Sequence, residues 1–318
     1  MAKNNCTAVI LVNYKQPTKT LRCLASLAQL NLPAGHHVSS YVVDNASGEG
    51  SLKLLRRYQN TPGYMFQLIE SEHNLGFAGG VNLGIQAAQA QWGQALHSVW
   101  LLNNDTTTHP DALLAMLEAL NAPEPGPRAV IGSKLVYPDG RFQQAGIELN
   151  LYTAGARGLR EPKKDAPLRV NAISGASMLI PADVLETLGP LDEQYFLYFE
   201  DIAYCLKAQQ ANIPCWLAPR SRVYHTEGAA TGKGSLLASY YAERNRLWLV
   251  QHYGSRLQQK TAQLYTRFRL WRSGQKAKKH PERADWARIQ QLAVQHFHQG
   301  ITGPCPTPEV FTKISPTD

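Results

Sequence analysis

From Thr7 to Leu102, short apolar runs alternate with stretches of helical periodicity, and that alternation restricts the fold more than any other feature of the chain. It is the pattern of a parallel sheet whose strands are joined by crossover helices. "TAVILV" (Thr7 to Val12) reads as a buried strand, and Leu21, Leu24, Leu27 and Leu30 mark one face of a helix with Pro17 near its first turn. Val38 to Val43 predicts a second strand, Ser51 to Tyr58 a helix, and Met65 to Ile69 a third strand. An Ala-rich helix then follows the turn in "SEHNLGFAGGVNLGIQAAQA", and Val99 to Leu102 is the fourth strand. A chain of 318 residues can bury the core of one large α/β domain, or of two smaller ones, without staples.

Three of these strands run into polar residues: Asn13-Tyr14, Asp44-Asn45 and Asn103-Asn104-Asp105. In an open parallel sheet the carboxyl ends of the strands line one crevice, so residues far apart in sequence arrive together there. The second half reads differently. A Pro/Gly-rich connection precedes a strand at Ala129 to Val136, and the polar stretch from Tyr137 to Leu168 predicts a binding loop or small antiparallel strands. A strand, a short helix closed by Gly189, the aromatic run "YFLYF", a helix from Ile202 to Gln210 and a last strand ending at Tyr224-His225 complete it.

Single signals stay ambiguous. Asp105 suits a turn before a helix that Asp111 would cap, and it equally suits a hard cation, which needs only one or two carboxylates beside phosphate oxygens. Asn74, Gly76, Gly79, Gly80, Asn82 and Gly84 form a glycine-rich entry to a helix that fits neither a dinucleotide fingerprint nor a P-loop. Backbone amides at a helix start suit a phosphate, and tight helix packing explains the glycines as well. Glu200-Asp201 could cap a helix, with Asp201 as the cap, or supply a general base. His225 is by default a structural histidine, and a metal ligand only if it reaches the same ion as Asp105.

Composition limits the remaining classes. Apolar residues are 44% and charged residues 18%, as in a globular protein. No apolar stretch approaches the roughly 20 residues of a membrane span, and the first five residues lack a signal-peptide core. Five scattered cysteines without metal-ligand spacing read as reduced thiols, so the expected compartment is the cytoplasm. The net charge of +8 is concentrated: residues 251–290 hold ten cations and two acids, with aromatic anchors among them. This basic amphipathic segment admits a solvated helix packed on the core, attraction to an anionic membrane surface, or nucleic acid, the last being the least supported.

Taken in order, "VILVNY", "VVDNAS", "NLGFAGGVNLGI", "LLNNDT", "SGASMLI", "YFLYFEDIAYCLK", "VYHTEGAAT" and "YYAERNRLWLV" resemble the family 2 glycosyltransferases of the GT-A fold, nearest to their bacterial rhamnosyltransferase-like branch. The resemblance spans about Thr7 to Val250. It implies a Rossmann-like, mostly parallel sheet with flanking helices, carrying a nucleotide-sugar half (1–125) and an acceptor half (126–250); the basic segment 251–318, read as helical from its composition, follows. It implies inverting transfer of a sugar from a nucleoside-diphosphate donor, a dTDP- or UDP-sugar rather than a GDP-sugar, to a saccharide or polyprenyl-linked acceptor. On that likeness Asn13, Asp44 and Asn45 hold the nucleoside, and Asn74, Gly76 and Asn82 line the ribose and diphosphate. Asn103-Asn104-Asp105 falls at the family's Asp-x-Asp motif, leaving Asp105 to hold Mg2+ or Mn2+ with help from His225. Asp201 is then the base, Glu200 shares acceptor binding, Ser174-Gly175-Ala176 is the acceptor-side loop, and Arg244-Asn245 falls among further polar contacts. Asn103 and Ala203 stand where many relatives carry acids.

Two rival readings differ in kind. A nucleotidyltransferase needs a Gly-rich basic loop after the first strand, where this chain has Asn13-Tyr14-Lys15-Gln16-Pro17. A catalytically silent binding module of the same fold, using the basic segment to dock on membranes or nucleic acid, would release no nucleoside diphosphate. In an enzyme the same segment fits work on a polyprenyl-linked acceptor as a peripheral protein at the inner face of the cytoplasmic membrane.

Overall fold

The computed structural model describes residues 5–226 and 235–311. The last five residues of "VYHTEGAAT" (227–231) and the end of the C-terminal segment (312–318) lie outside the described residues.

The chain begins β1 (Asn5–Asn13), α1 (Pro17–Leu27), β2 (His36–Asn45), α2 (Glu49–Tyr58), β3 (Phe66–Ser71), α3 (Gly76–Trp92) and β4 (Leu96–Leu102). Short β5 (Thr106–Thr108) precedes α4 (Ala112–Asn121) and β6 (Val130–Val136). The polar stretch forms β7 (Phe142–Gln144), β8 (Ile147–Asn150), β9 (Gly155–Gly158) and β10 (Leu168–Val170). Then come β11 (Ser177–Pro181), α5 (Ala182–Leu188), α6 (Glu200–Gln210) and β12 (Cys215–His225), followed by the helices α7 (Leu236–Tyr253), α8 (Arg256–Lys279) and α9 (Ala284–His298).

One sheet carries ten strands among the described residues, in the order β10-β12-β6-β11-β4-β1-β2-β3, with β5 beside β12 and β7 beside β6. β4, β1, β2 and β3 are parallel, β12 is parallel to β6, β11 runs antiparallel between β4 and β6, and the short β5, β7 and β10 are antiparallel to their neighbours. This direction pattern positions the site. The carboxyl ends of β1, β2, β4 and β12 and the amino end of β11 all lie at one sheet edge. Successive β1 side chains point to opposite faces. Ala8 and Ile10 pack with α3, α5 and α6 on one face, while Val9 and Leu11 pack with α1 and α4 on the other.

The sheet is more mixed than a plain alternation of strand and helix implies, because β11 turns back between parallel neighbours. The first helix stops at Leu27 rather than reaching Leu30, since the Asn31 amide bonds the Pro110 carbonyl instead of continuing the helix. The third strand starts at Phe66, leaving Met65 exposed. Asp111 occupies the N-cap position of α4, but its side chain accepts from Asn31 rather than capping the helix. Asp201 is not the cap of α6: Phe199 is, in the left-handed conformation (φ 74°), and Glu200 opens the helix. The C-terminal segment is not amphipathic towards the core along α8, where only Ala262 and Thr266 are buried. No helix among the described residues is long and apolar enough to cross a membrane, and all five cysteines are buried and free.

Candidate active site

Each strand end delivers its polar residues to the shared edge with a different degree of commitment. Asn13 is fully buried: its amide nitrogen donates to Asp44 Oδ2 at 2.7 Å, and its oxygen accepts from Thr20 Oγ1 at 2.8 Å. Asp44 Oδ1 in turn accepts from the Ser47 amide at 2.9 Å. Asn45 joins β2 to the start of α3, donating to Asn74 Oδ1 at 3.0 Å and to the Gly76 carbonyl at 2.8 Å. Asn82 faces away from that cluster, with its amide donating to the Leu191 carbonyl at 3.0 Å and to Glu193 at 2.8 Å and its oxygen accepting from Leu191 N at 3.0 Å. It braces α3 against residues 191–193.

The glycines of that helix are required by packing. α3 begins at Gly76, so the amides of its first turn lie there. Gly76 has φ +72°, and a Cβ there would lie 2.1 Å from the Phe196 carbonyl oxygen, which accepts from Phe77 N at 2.7 Å. A Cβ on Gly84 would lie 2.5 Å from Ile10 of β1. Both positions bring backbone against a neighbour at a distance no other residue allows.

At the end of β4, Asn104 donates to Thr20 Oγ1 at 3.0 Å, and the carbonyl of Asn103 accepts from Thr106. The three threonines after Asp105 are β5, whose pairing Thr106↔His225 with β12 carries the histidine to the acid. His225 Nε2 lies 3.3 Å from Asp105 Oδ1 and 3.5 Å from Asn103 Nδ2, and Nδ1 lies 3.2 Å from Gln143 Oε1. In the tautomer whose Nδ1–H donates to the Gln143 oxygen, Nε2 presents a lone pair towards the carboxylate. Two lone pairs at that distance attract only through a cation or a shared proton. Neighbouring ligands of a six-coordinate ion with bonds of about 2.1 Å are about 3 Å apart, so this oxygen–nitrogen pair fits a divalent cation. Among the described residues no cluster of three or more His, Cys, Asp or Glu could hold a metal, so a cation held by this pair would take its other ligands from other groups, such as a diphosphate.

The second acid joins the same place through the loop before β11. Asp201 Oδ2 accepts from the Gly175 amide at 2.7 Å and Oδ1 from Ile202 N at 2.7 Å, while the Ala176 carbonyl accepts from the Asn103 amide at 3.2 Å. Ser174-Gly175-Ala176 therefore links the acid on α6 to the turn that carries Asp105. Burial raises the Asp201 pKa, opposed by the Gly175 and Ile202 amides. Glu200 is buried, its Oε2 has no hydrogen-bond partner among the described residues, and burial together with the Asp201 charge raises its pKa well above the usual range.

This pair makes the protein's stability depend on pH with a defined sign. A carboxyl whose folded pKa is raised stabilises the fold fully below its unfolded value, about 4.3 for Glu, and that contribution is lost as pH rises through the folded value. Glu200→Gln removes the loss. Its melting temperature should gain on the wild type progressively as pH rises above the ordinary Glu value of about 4.3, and a constant offset in thermal melts over that rise would contradict the assignment.

The sequence gives no hint of Gln143, on a weakly patterned polar stretch, or of Phe77, whose ring lies close to Gly175. Asn245 is a further buried polar residue. Its amide nitrogen donates to the carbonyls of Tyr195, Leu197 and Tyr198 at 2.6, 2.9 and 2.9 Å, just ahead of Glu200.

Residues 8–184, more than half of the chain, match the sequence profile of glycosyl transferase family 2. The chain belongs to that family. Among sequence relatives of this family 2 chain, an uncharacterized protein of Sinorhizobium fredii is 33% identical over 42% of the chain. An N-acetylglucosaminyl-diphospho-decaprenol L-rhamnosyltransferase of Mycobacterium tuberculosis is 26% identical over 73% of the chain and 80% of its own length. The crystal structure of GalNAc-T7 with UDP, GalNAc and Mn2+ superposes over 95% of the chain with a TM-score of 0.63 at 14% identity, which identifies the GT-A type of α/β fold. The family 2 chain spans 16% of the Sinorhizobium relative and 57% of the GalNAc-T7 chain.

Proposed function

We propose that this family 2 chain is an inverting glycosyltransferase that moves rhamnose from a nucleoside-diphosphate donor to a hydroxyl of a lipid-linked saccharide. Asp201 is its base, and Asp105 and His225 are the protein's share of a Mg2+ or Mn2+ site. The observation that supports this reading is the hydrogen-bonded path from Asp201 through Gly175 and Ala176 to Asn103, which links α6 to the turn that carries Asp105, nearly a hundred positions away in the chain. The mycobacterial relative supports the sugar and the acceptor class. The Mn2+ and UDP with GalNAc-T7 support the cation and a pyrimidine donor.

In this mechanism Asp201 accepts the acceptor hydroxyl's proton as that oxygen attacks the anomeric carbon. The bond between that carbon and the diphosphate breaks on the opposite face, so the centre inverts. A divalent cation bound at Asp105 and His225 would offset the negative charge of the leaving diphosphate. The Asp44–Asn45 and Asn74–Gly76 cluster lies at the donor side of the same edge, and Ser174-Gly175-Ala176 at the acceptor side. Gly175 N–H holds the Asp201 carboxylate in place, and Gln143 fixes the ring of His225.

A thermal-shift screen of dTDP-, UDP- and GDP-sugars with and without Mn2+ tests this. A ligand at a hundred times its dissociation constant stabilises the fold by about 2.7 kcal/mol, a shift of several degrees. The expected result is a shift with a pyrimidine donor that grows with Mn2+ in the wild type and loses its Mn2+ dependence in Asp105→Asn. A metal response unchanged by Asp105→Asn would remove that residue from the site.

A further inference from the structure

A surface helix ordinarily buries its large apolar side chains and exposes its charges. α8 exposes four of its large apolar residues together with its charges. Its buried residues are Ala262 and Thr266, and Thr266 Oγ1 accepts from Arg246 at 2.9 Å while donating to the Ala262 carbonyl at 2.7 Å. The large apolar residues point outward: Leu257, Leu264, Phe268 and Trp271 are 61%, 68%, 49% and 60% exposed. Their spacings of seven, four and three residues place all four on one side of the helix. α8 also holds eight cations and no acid.

A groove of about 500 Å3 runs beside this stripe between α8 and α9, with Phe268 and Trp286 in its walls and Arg269, Arg272, Lys276 and Arg283 around them. Arg269 is occupied by Glu243 at 3.3 Å. Among the described residues, Arg272, Lys276 and Arg283 form no ion pair. Arg272 lies over the Phe268 ring, 5.8 Å from its centroid. The surface thus joins an uncovered apolar stripe to a cationic recess with an aromatic wall.

We propose that α8 docks the protein on an anionic phospholipid bilayer, with Leu264, Phe268 and Trp271 entering the interface and a lipid phosphate seated by Arg272, Lys276 and Arg283. The chemistry selects this occupant. A second copy of the chain would bring eight like charges against eight others, at a cost the stripe does not offset. A nucleic-acid backbone would satisfy the cations but leave Leu257, Leu264 and Trp271 uncovered. A bilayer with anionic headgroups answers both features, because Trp and Phe settle at the boundary between headgroups and acyl chains while flanking cations meet the phosphates. Each such cation adds about a factor of five to membrane affinity.

This docking is independent of the transfer chemistry, and its test separates the two. The full chain is sedimented with phosphatidylcholine vesicles with and without phosphatidylglycerol, alongside Phe268→Ser/Trp271→Ser, Arg272→Gln/Lys276→Gln and the control Arg57→Gln. The expected result is binding to the anionic vesicles alone, weakened about tenfold or more in both double variants and unchanged in the control. Donor-dependent melting shifts should stay at the wild-type value in all of them. Equal sedimentation of the wild type and both double variants would overturn the proposal. So would equal binding to neutral vesicles, or a concentration-dependent dimer that the Phe268→Ser/Trp271→Ser change abolishes.

Discussion

Asp201→Asn should lower the rate of transfer about 10²- to 10⁴-fold while leaving the donor-dependent melting shift in place. An amide cannot take the acceptor's proton, and the group lies across the Ser174–Ala176 loop from the donor edge, so donor affinity has no reason to change. The variant is not an isosteric blank. Asp201 accepts from two backbone amides, Gly175 and Ile202, and Asn has one acceptor oxygen to offer them. One backbone bond is lost, at about 1 kcal/mol, so a slightly lower melting temperature accompanies the lost activity. The wild-type rate should rise with pH over a range above the ordinary Asp value of about 3.9, because burial raises this carboxyl. Release of nucleoside diphosphate in the presence of acceptor measures both effects. Wild-type turnover by Asp201→Asn would exclude that residue as the base.

The parts of this site that are legible in sequence are those written as local patterns. Buried apolar runs fix β1, β2 and β4, and their polar ends mark the crevice because parallel strands share a direction. β11 is not legible in this way: nothing in "SMLIP" says that the strand reverses, yet the reversal brings Ser174–Ala176 to the edge where β4 ends. The three threonines after Asp105 look like a turn, and only pairing with β12 makes them a strand that carries His225. The sequence leaves the glycines of α3 to a phosphate or a packing reading, and the close approaches at Gly76 and Gly84 supply a packing reason that no periodicity shows. Asn82 looks like its neighbour Asn74 in sequence but faces residues 191–193, since helix phase rather than proximity in the chain decides which side chain meets the site.

Asn245→Ala should be the most destabilising single substitution near the site, costing about 3–5 kcal/mol in denaturant unfolding and reducing transfer at temperatures where the variant is still folded. The segment it holds is strained. Phe196, Tyr198 and Phe199 have φ of 60°, 67° and 74°, a region that costs about 1–2 kcal/mol for each residue with a Cβ. The buried Asn245 amide compensates by meeting three carbonyls of that stretch, and its oxygen accepts from Arg244 at 3.0 Å. Arg244 itself is fully buried, donates to the Gly303 carbonyl at 2.7 Å and lies 5.1 Å from the Tyr241 ring centroid, so the cluster extends into α7 and the chain beyond α9. Released from Asn245, the aromatic stretch would relax towards ordinary φ values and carry Glu200 and Asp201 with it, because Phe199 is the residue on which α6 begins. The rate constant should therefore fall more than donor affinity does. Unchanged stability in Asn245→Ala would mean that aromatic packing, such as the stack of Phe196 on Tyr241 at 5.2 Å, suffices to hold the turn.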